Sequence, residues 1–142
     1  MKPGIRWIDR SLLTSPLWIG ICFDERSLNR ELRRLDVPRS SWPGWVDVGK
    51  DAHVVMLENP TTGQMVCVVC ISFDGKRSMA EVVGLLAHEA AHVWQAIRED
   101  IGEDHPSDEF EAYSIQNITQ RLIREWVKMG KKKCKGKGGK GK

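Results

Sequence analysis

Residues 78–99 constrain this chain more than any other stretch, because they combine a helix start, an apolar stripe and a run of chemically active side chains. Ser78-Met79-Ala80-Glu81 has the form of a capping box. The Ser78 side chain accepts from the amide three residues on, and the Glu81 carboxylate reaches back to the Ser78 amide. Downstream, Met79, Val82, Val83, Leu86, Ala90, Val93, Trp94 and Ile97 recur at helical spacing and fall on one side. The pattern predicts a helix that buries that side in a core.

Nearly opposite the stripe stands His88-Glu89-Ala90-Ala91-His92, an HExxH motif. Residues four apart share a helix face, so the two imidazoles can offer ring nitrogens to one zinc ion. Glu89 lies about 100° round the helix from His88, where it can reach a water on the metal and act as general base. One face is buried for rigidity and another presents ligands to a cleft, which is the division of labour a metal-site helix needs.

A chain of 142 residues fits one domain with a single modest core. Its formal charge of +3 is misleading, because residues 131–142 hold seven lysines and no acid, leaving 15 basic and 19 acidic groups in residues 1–130. The body is mildly acidic and the basicity belongs to the tail. The four cysteines do not suggest a disulfide framework in a chain this apolar. Cys67-Val68-Val69-Cys70 has CxxC spacing, but strand alternation sends the two thiols to opposite faces, so Cys22, Cys67 and Cys70 read as small buried hydrophobes. No run has the length of a membrane span or the build of an export signal, and a soluble cytoplasmic protein is expected.

Taken in order, Trp7, Ile8, Leu12 and Leu13 have helical spacing, and Ser15-Pro16 should end that helix. Residues 17–23 read as a buried strand, Asp24 as an N-cap, and residues 25–35 as a short amphipathic helix with Leu28, Leu32 and Leu35 inward. Residues 37–45 form an ordered loop whose Trp42 and Trp45 either pin it to the core or line a substrate cleft. Residues 53–59 and 65–72 predict a hairpin across Pro60-Thr61-Thr62-Gly63-Gln64, with His53 a surface residue at its start. This gives about three strands ahead of the capped helix. A second helix should run from Ser107 or Asp108 to about Met129, with Ala112, Ile115, Ile118, Leu122, Ile123 and Trp126 inward; the Lys/Gly-rich tail, residues 130–142, should be disordered.

A hydrolytic zinc site takes three protein ligands and a water, so the motif needs a further donor. A third histidine six residues after His92 is absent, since that position is Arg98. The next chemically suitable run is Asp108-Glu109-Phe110-Glu111-Ala112-Tyr113. Here the chain resembles the gluzincin branch of zinc metallopeptidases, in which a glutamate ligand in an E-x-x-A context follows the HExxH helix. Glu109-Phe110-Glu111-Ala112 matches that context, and the resemblance spans residues 78–126. Residues 1–50 are also similar to the small zincin-like proteins carried by tailed phages and prophages. The resemblance implies Zn2+ held by His88, His92 and Glu109; on the residues alone, Glu111 and His105 are alternative third donors, and a site with no third protein ligand is a further alternative. It implies a minimal zincin-like α+β fold, with a small antiparallel sheet packed on the HExxH helix and a second C-terminal helix.

The implied chemistry is peptide-bond hydrolysis of a protein or peptide substrate, with Glu89 as general base. Tyr113, the single tyrosine, is a candidate oxyanion donor or a partner of a ligand, or a half-buried helix aromatic. If the strand preceding the active helix is a sheet edge, substrate can add to it as a further strand. A non-catalytic assembly or structural protein, stabilised by zinc on the same scaffold, is the competing expectation, and intact Glu89 favours the enzyme. The lysine tail allows non-specific nucleic-acid contact.

Overall fold

The computed structural model describes residues 4–8, 15–46, 51–73 and 75–137, with side chains to residue 132. Among these residues it is an α+β molecule with four strands and three α-helices: β1 (Arg6–Ile8), β2 (Trp18–Cys22), α1 (Glu25–Arg34), β3 (Ala52–Glu58), β4 (Met65–Ile71), α2 (Met79–Asp100) and α3 (Asp108–Lys137). The strands form one sheet in the order β1-β2-β4-β3. No helix among the described residues is long and apolar enough to cross a membrane.

The sheet is mixed where an antiparallel one was expected. β1 pairs antiparallel with β2 and β3 with β4, but β2 and β4 run parallel, with Cys22 beside Cys70. The cause is α1, which takes the chain away after β2, so that the β3–β4 hairpin returns beside β2 in the same direction. β4 is therefore central and β3 is the edge, so the condition for strand addition is met by β3 and not by β4, the strand that precedes α2 in sequence.

β1 was also misread, since Trp7 belongs to a strand and not a helix; Leu12 and Leu13 lie outside the described residues. Three residues are too few for a period to declare itself. Trp7 pairs with Gly20, where an added Cβ would stand 2.6 Å from Ile5 Cγ2 and 3.0 Å from the Trp7 ring. Only glycine lets β1 close down on β2 at that point.

Two apolar layers cover the sheet. One holds Ile19, Ile21, Cys67, Val69 and Ile71 against Leu86, Val93, Trp94 and Ile97 of α2 and Ile118 and Leu122 of α3. The other holds Cys22, Val55, Val68 and Cys70 against Leu28 and Leu32 of α1. Cys67 and Cys70 thus point to opposite layers, as alternation requires. All three described thiols are free and buried, and burial pushes Cys22 up to about 11 and Cys67 up to about 12. Burial, helped by the charges of Cys22 and Glu89, raises Cys70 as well. Trp42 Nε1 donates to Val37 O at 2.8 Å and Trp45 Nε1 to Ser72 Oγ at 3.2 Å, so both tryptophans pin their loop to the second layer.

The helix ends follow local rules. Asp24 accepts from Ser27 N, and the Ser78–Glu81 capping box is fully made. α1 and α2 both end in a Schellman motif: Val37 N donates to Leu32 O and Asp36 N to Arg33 O, while Glu103 N donates to Arg98 O and Gly102 N to Glu99 O. The left-handed residue is Gly102 (φ 68°) in α2 but Asp36 (φ 54°) in α1. α3 continues to Lys137, beyond the expected end at Met129, because lysine propagates a helix that tertiary packing has already nucleated. Residues 138–142 of the tail lie outside the described residues.

Candidate metal centre

α2 is fixed on two sides before its chemistry begins. Its apolar face meets the sheet, and Trp94 meets α3, where its ring stands edge-on to Phe110 at 5.3 Å and its Nε1 donates to Glu111 Oε1 at 3.0 Å. The face carrying His88, His92, Gln95 and Glu99 is left toward solvent. These residues are one, two and three turns along a single line.

His88 and His92 converge. Their Nε2 atoms are 3.1 Å apart and their rings lie 4.7 Å apart at 84°. Two nitrogens on a tetrahedral zinc at about 2.0–2.1 Å stand roughly 3.3 Å apart. The pair therefore has the spacing of two ligands on one ion, within a few tenths of an ångström. His92 Nδ1 donates to Gln95 Oε1 at 3.0 Å, so the proton sits on Nδ1 and the Nε2 lone pair faces its neighbour.

A cleft of about 610 Å³ runs between this face of α2 and β3. β3 contributes His53, Val54 and Met56 to its wall, and α2 contributes His88, Glu89, His92 and Glu99. Glu89 is only 3% exposed, although it borders the cleft. Its burial follows from its place on the helix, about 100° round from His88 and toward the sheet. A carboxylate that borders the cleft beside two convergent imidazoles, yet is withdrawn from bulk water, can exchange a proton with a molecule bound there.

The expected third ligand and tyrosine are elsewhere. Glu109 and Tyr113 are exposed on the outer face of α3, Tyr113 by 65%, and neither lines the cleft. The inward face of α3 is set by Phe110, Ser114, Ile118, Leu122 and Trp126, and Glu109 lies about 140° from Ser114. Counting Ala112 in the apolar stripe had turned the helix too far, since Ala112 is exposed. Glu111 faces α2, but its Oε1 accepts from Trp94 and lies 3.9 Å from Arg98 Nη1. His105 is exposed in the connection between the helices.

Among the described residues, no group of three His, Cys, Asp or Glu side chains is gathered closely enough to hold a metal ion. The fit is thus to two coordination positions, by the histidine pair. Two cleft residues were missed from the sequence. His53 was read as surface but is half-buried in the cleft wall. Gln95 carried a legible signal, since a residue three after a ligand histidine lies on the same helix face. Comparison of the chain with protein-family models, curated proteins and solved structures returns no match. The functional argument therefore rests on the chemistry of the cleft.

Proposed function

We propose that this protein is a zinc-dependent peptidase on a zincin-like scaffold, hydrolysing a protein or peptide chain bound in the cleft between β3 and α2. The observation that carries this reading is the 3.1 Å convergence of His88 Nε2 and His92 Nε2 beside the buried carboxylate of Glu89. Bound zinc would supply Lewis acidity and a water of lowered pKa.

The chain's own residues divide the remaining work. His88 and His92 hold the ion, and Gln95 keeps His92 in the tautomer that has an Nε2 lone pair to give. Glu89 takes the water's proton and returns it to the leaving amine. The third protein position falls to Glu109, which the gluzincin resemblance assigns and which needs α3 to rearrange, or is left to solvent. The cytoplasm is the proposed compartment, and it suits a protein with three buried, free thiols.

The test is Glu89→Gln. Zinc stoichiometry, measured by elemental analysis, should match the parent protein, while the rate on an unstructured protein substrate should fall by at least about 10²-fold. Equal rates in the two proteins, or no hydrolysis by zinc-loaded parent protein, would remove the peptidase reading. Retained zinc without hydrolysis would favour the assembly role on the same scaffold.

A further inference from the structure

Met56, 45% exposed, borders two clefts at once. One contains His88 and His92. The other, also of about 610 Å³, is walled by Leu35, Val37, Pro38, Leu57, Pro60 and Val66, at the hairpin end of the sheet. Together they follow β3 from Ala52 to beyond Glu58. β3 is the outermost strand, so among the described residues no strand pairs with its outer edge. An extended peptide added there would touch both clefts.

The alternation of β3 shows what each cleft would receive. Ala52 and Val54 face the α2 layer, while Val55 and Leu57 face the α1 layer. An added strand alternates in the same way, so successive side chains meet the two faces in turn. A residue beside Val54 stands near the histidines. One beside residues 57–59 stands over the second cleft, three to five positions away, or roughly 10–17 Å at a rise of about 3.4 Å per residue.

Charge narrows the occupant. Asp36 and Glu58 line the second cleft, and no Lys, Arg or His does so among the described residues. Asp36 also occupies the left-handed position of a Schellman motif, the place that Gly102 fills in α2. Glycine suits that backbone better, so a carboxylate there is not explained by the turn.

We infer that the second cleft is a binding subsite for an extended peptide: it takes an apolar side chain three or five residues from the position facing His88 and His92, with a Lys or Arg two positions along, on the same face, drawn to Asp36 and Glu58. This deepens the peptidase reading and rests on it.

The probes are fluorescein-labelled Gly/Ser/Ala dodecapeptides carrying one Leu/Arg pair spaced as Leu-Gly-Arg, walked along the chain, and matched Leu-Gly-Glu peptides. Polarisation with the full-length, metal-free protein should show Leu-Gly-Arg peptides binding at least tenfold tighter than Leu-Gly-Glu. The double variant Asp36→Asn, Glu58→Gln should bring that ratio below threefold; asparagine tolerates the left-handed turn, and a matched thermal melt checks that the fold is kept. After zinc loading, cleavage should fall three or five residues from the leucine of the pair. Indifference to the charge of the pair, an unchanged ratio in the double variant, or cleavage blind to the pair's position each overturns the subsite. Discriminating binding with no cleavage leaves the subsite standing and overturns the peptidase reading instead.

Discussion

If the histidine pair holds zinc as proposed, Gln95 would show how much of the site is decided one residue away from the ligands. In water a neutral imidazole exchanges its proton between two nitrogens, and only one tautomer offers Nε2 to an ion. The 3.0 Å contact between His92 Nδ1 and Gln95 Oε1, an atom that only accepts, favours the tautomer with the proton on Nδ1. Removal of such a partner commonly weakens metal binding by about 10–100-fold. Gln95→Ala should therefore lower zinc affinity by that factor, measured by competition with a chromophoric chelator, while Gln95→Glu should keep most of it. Because Gln95 is exposed, the metal-free melting point should hardly move in either variant. Nitrogen-15 spectra of the apo protein should show His92 shifting toward the Nε2–H tautomer in Gln95→Ala. An unchanged tautomer and unchanged affinity together would mean that the contact does not orient the ring.

α2 is the element on which the site's precision depends, and its first turn can be tested alone. Ser78 Oγ accepts from Glu81 N at 3.3 Å and Glu81 Oε2 accepts from Ser78 N at 2.7 Å. Ser78→Ala should cost about 1 kcal/mol of unfolding free energy by urea titration. The Ser78 hydroxyl and amide hold the Glu81 carboxyl below its usual range. A depressed carboxylate contributes its stability above the unfolded-state pKa and loses it as the pH falls through the folded-state value. The difference between parent and Ser78→Ala should thus narrow in acid. These local features were readable without coordinates: the capping box, the Asp24 cap, the hairpin across residues 59–64 and the separation of histidine face from core face are each written in a few adjacent residues. What was not readable depends on long-range pairing. The parallel β2–β4 contact, the edge position of β3 and the strand at Arg6–Ile8 exist only once α1 has carried the chain across the sheet. The rotation of α3 was lost for a related reason. Ala112 is compatible with either side of a helix, whereas Phe110 commits the face only through its contact with Trp94 of α2.

At the scale of the whole molecule, zinc should act as a fastener only if its ligands come from more than one element. His88 and His92 both belong to α2, so an ion held by them alone would tie a helix to itself and add little against global unfolding. A third donor changes this: Glu109 would join α2 to α3. Any ligand that binds only the folded chain stabilises it by mass action, by about 2.7 kcal/mol at a free concentration one hundred times its dissociation constant. For a chain of 142 residues that corresponds to a rise of roughly 5–10 °C in the melting point. The parent protein and Glu89→Gln should both show this rise on zinc addition, and His88→Ala and His92→Ala should not, when scanned at matched free zinc. Glu109→Gln then tests the three-ligand arrangement, since loss of a true third donor should remove most of the rise. If the rise is small in the parent and unchanged by Glu109→Gln, the ion is held by the histidine pair and solvent, and the site must be reassigned as a two-residue chelate that anchors no second element; a full rise kept by Glu109→Gln means that Glu109 is not the third donor.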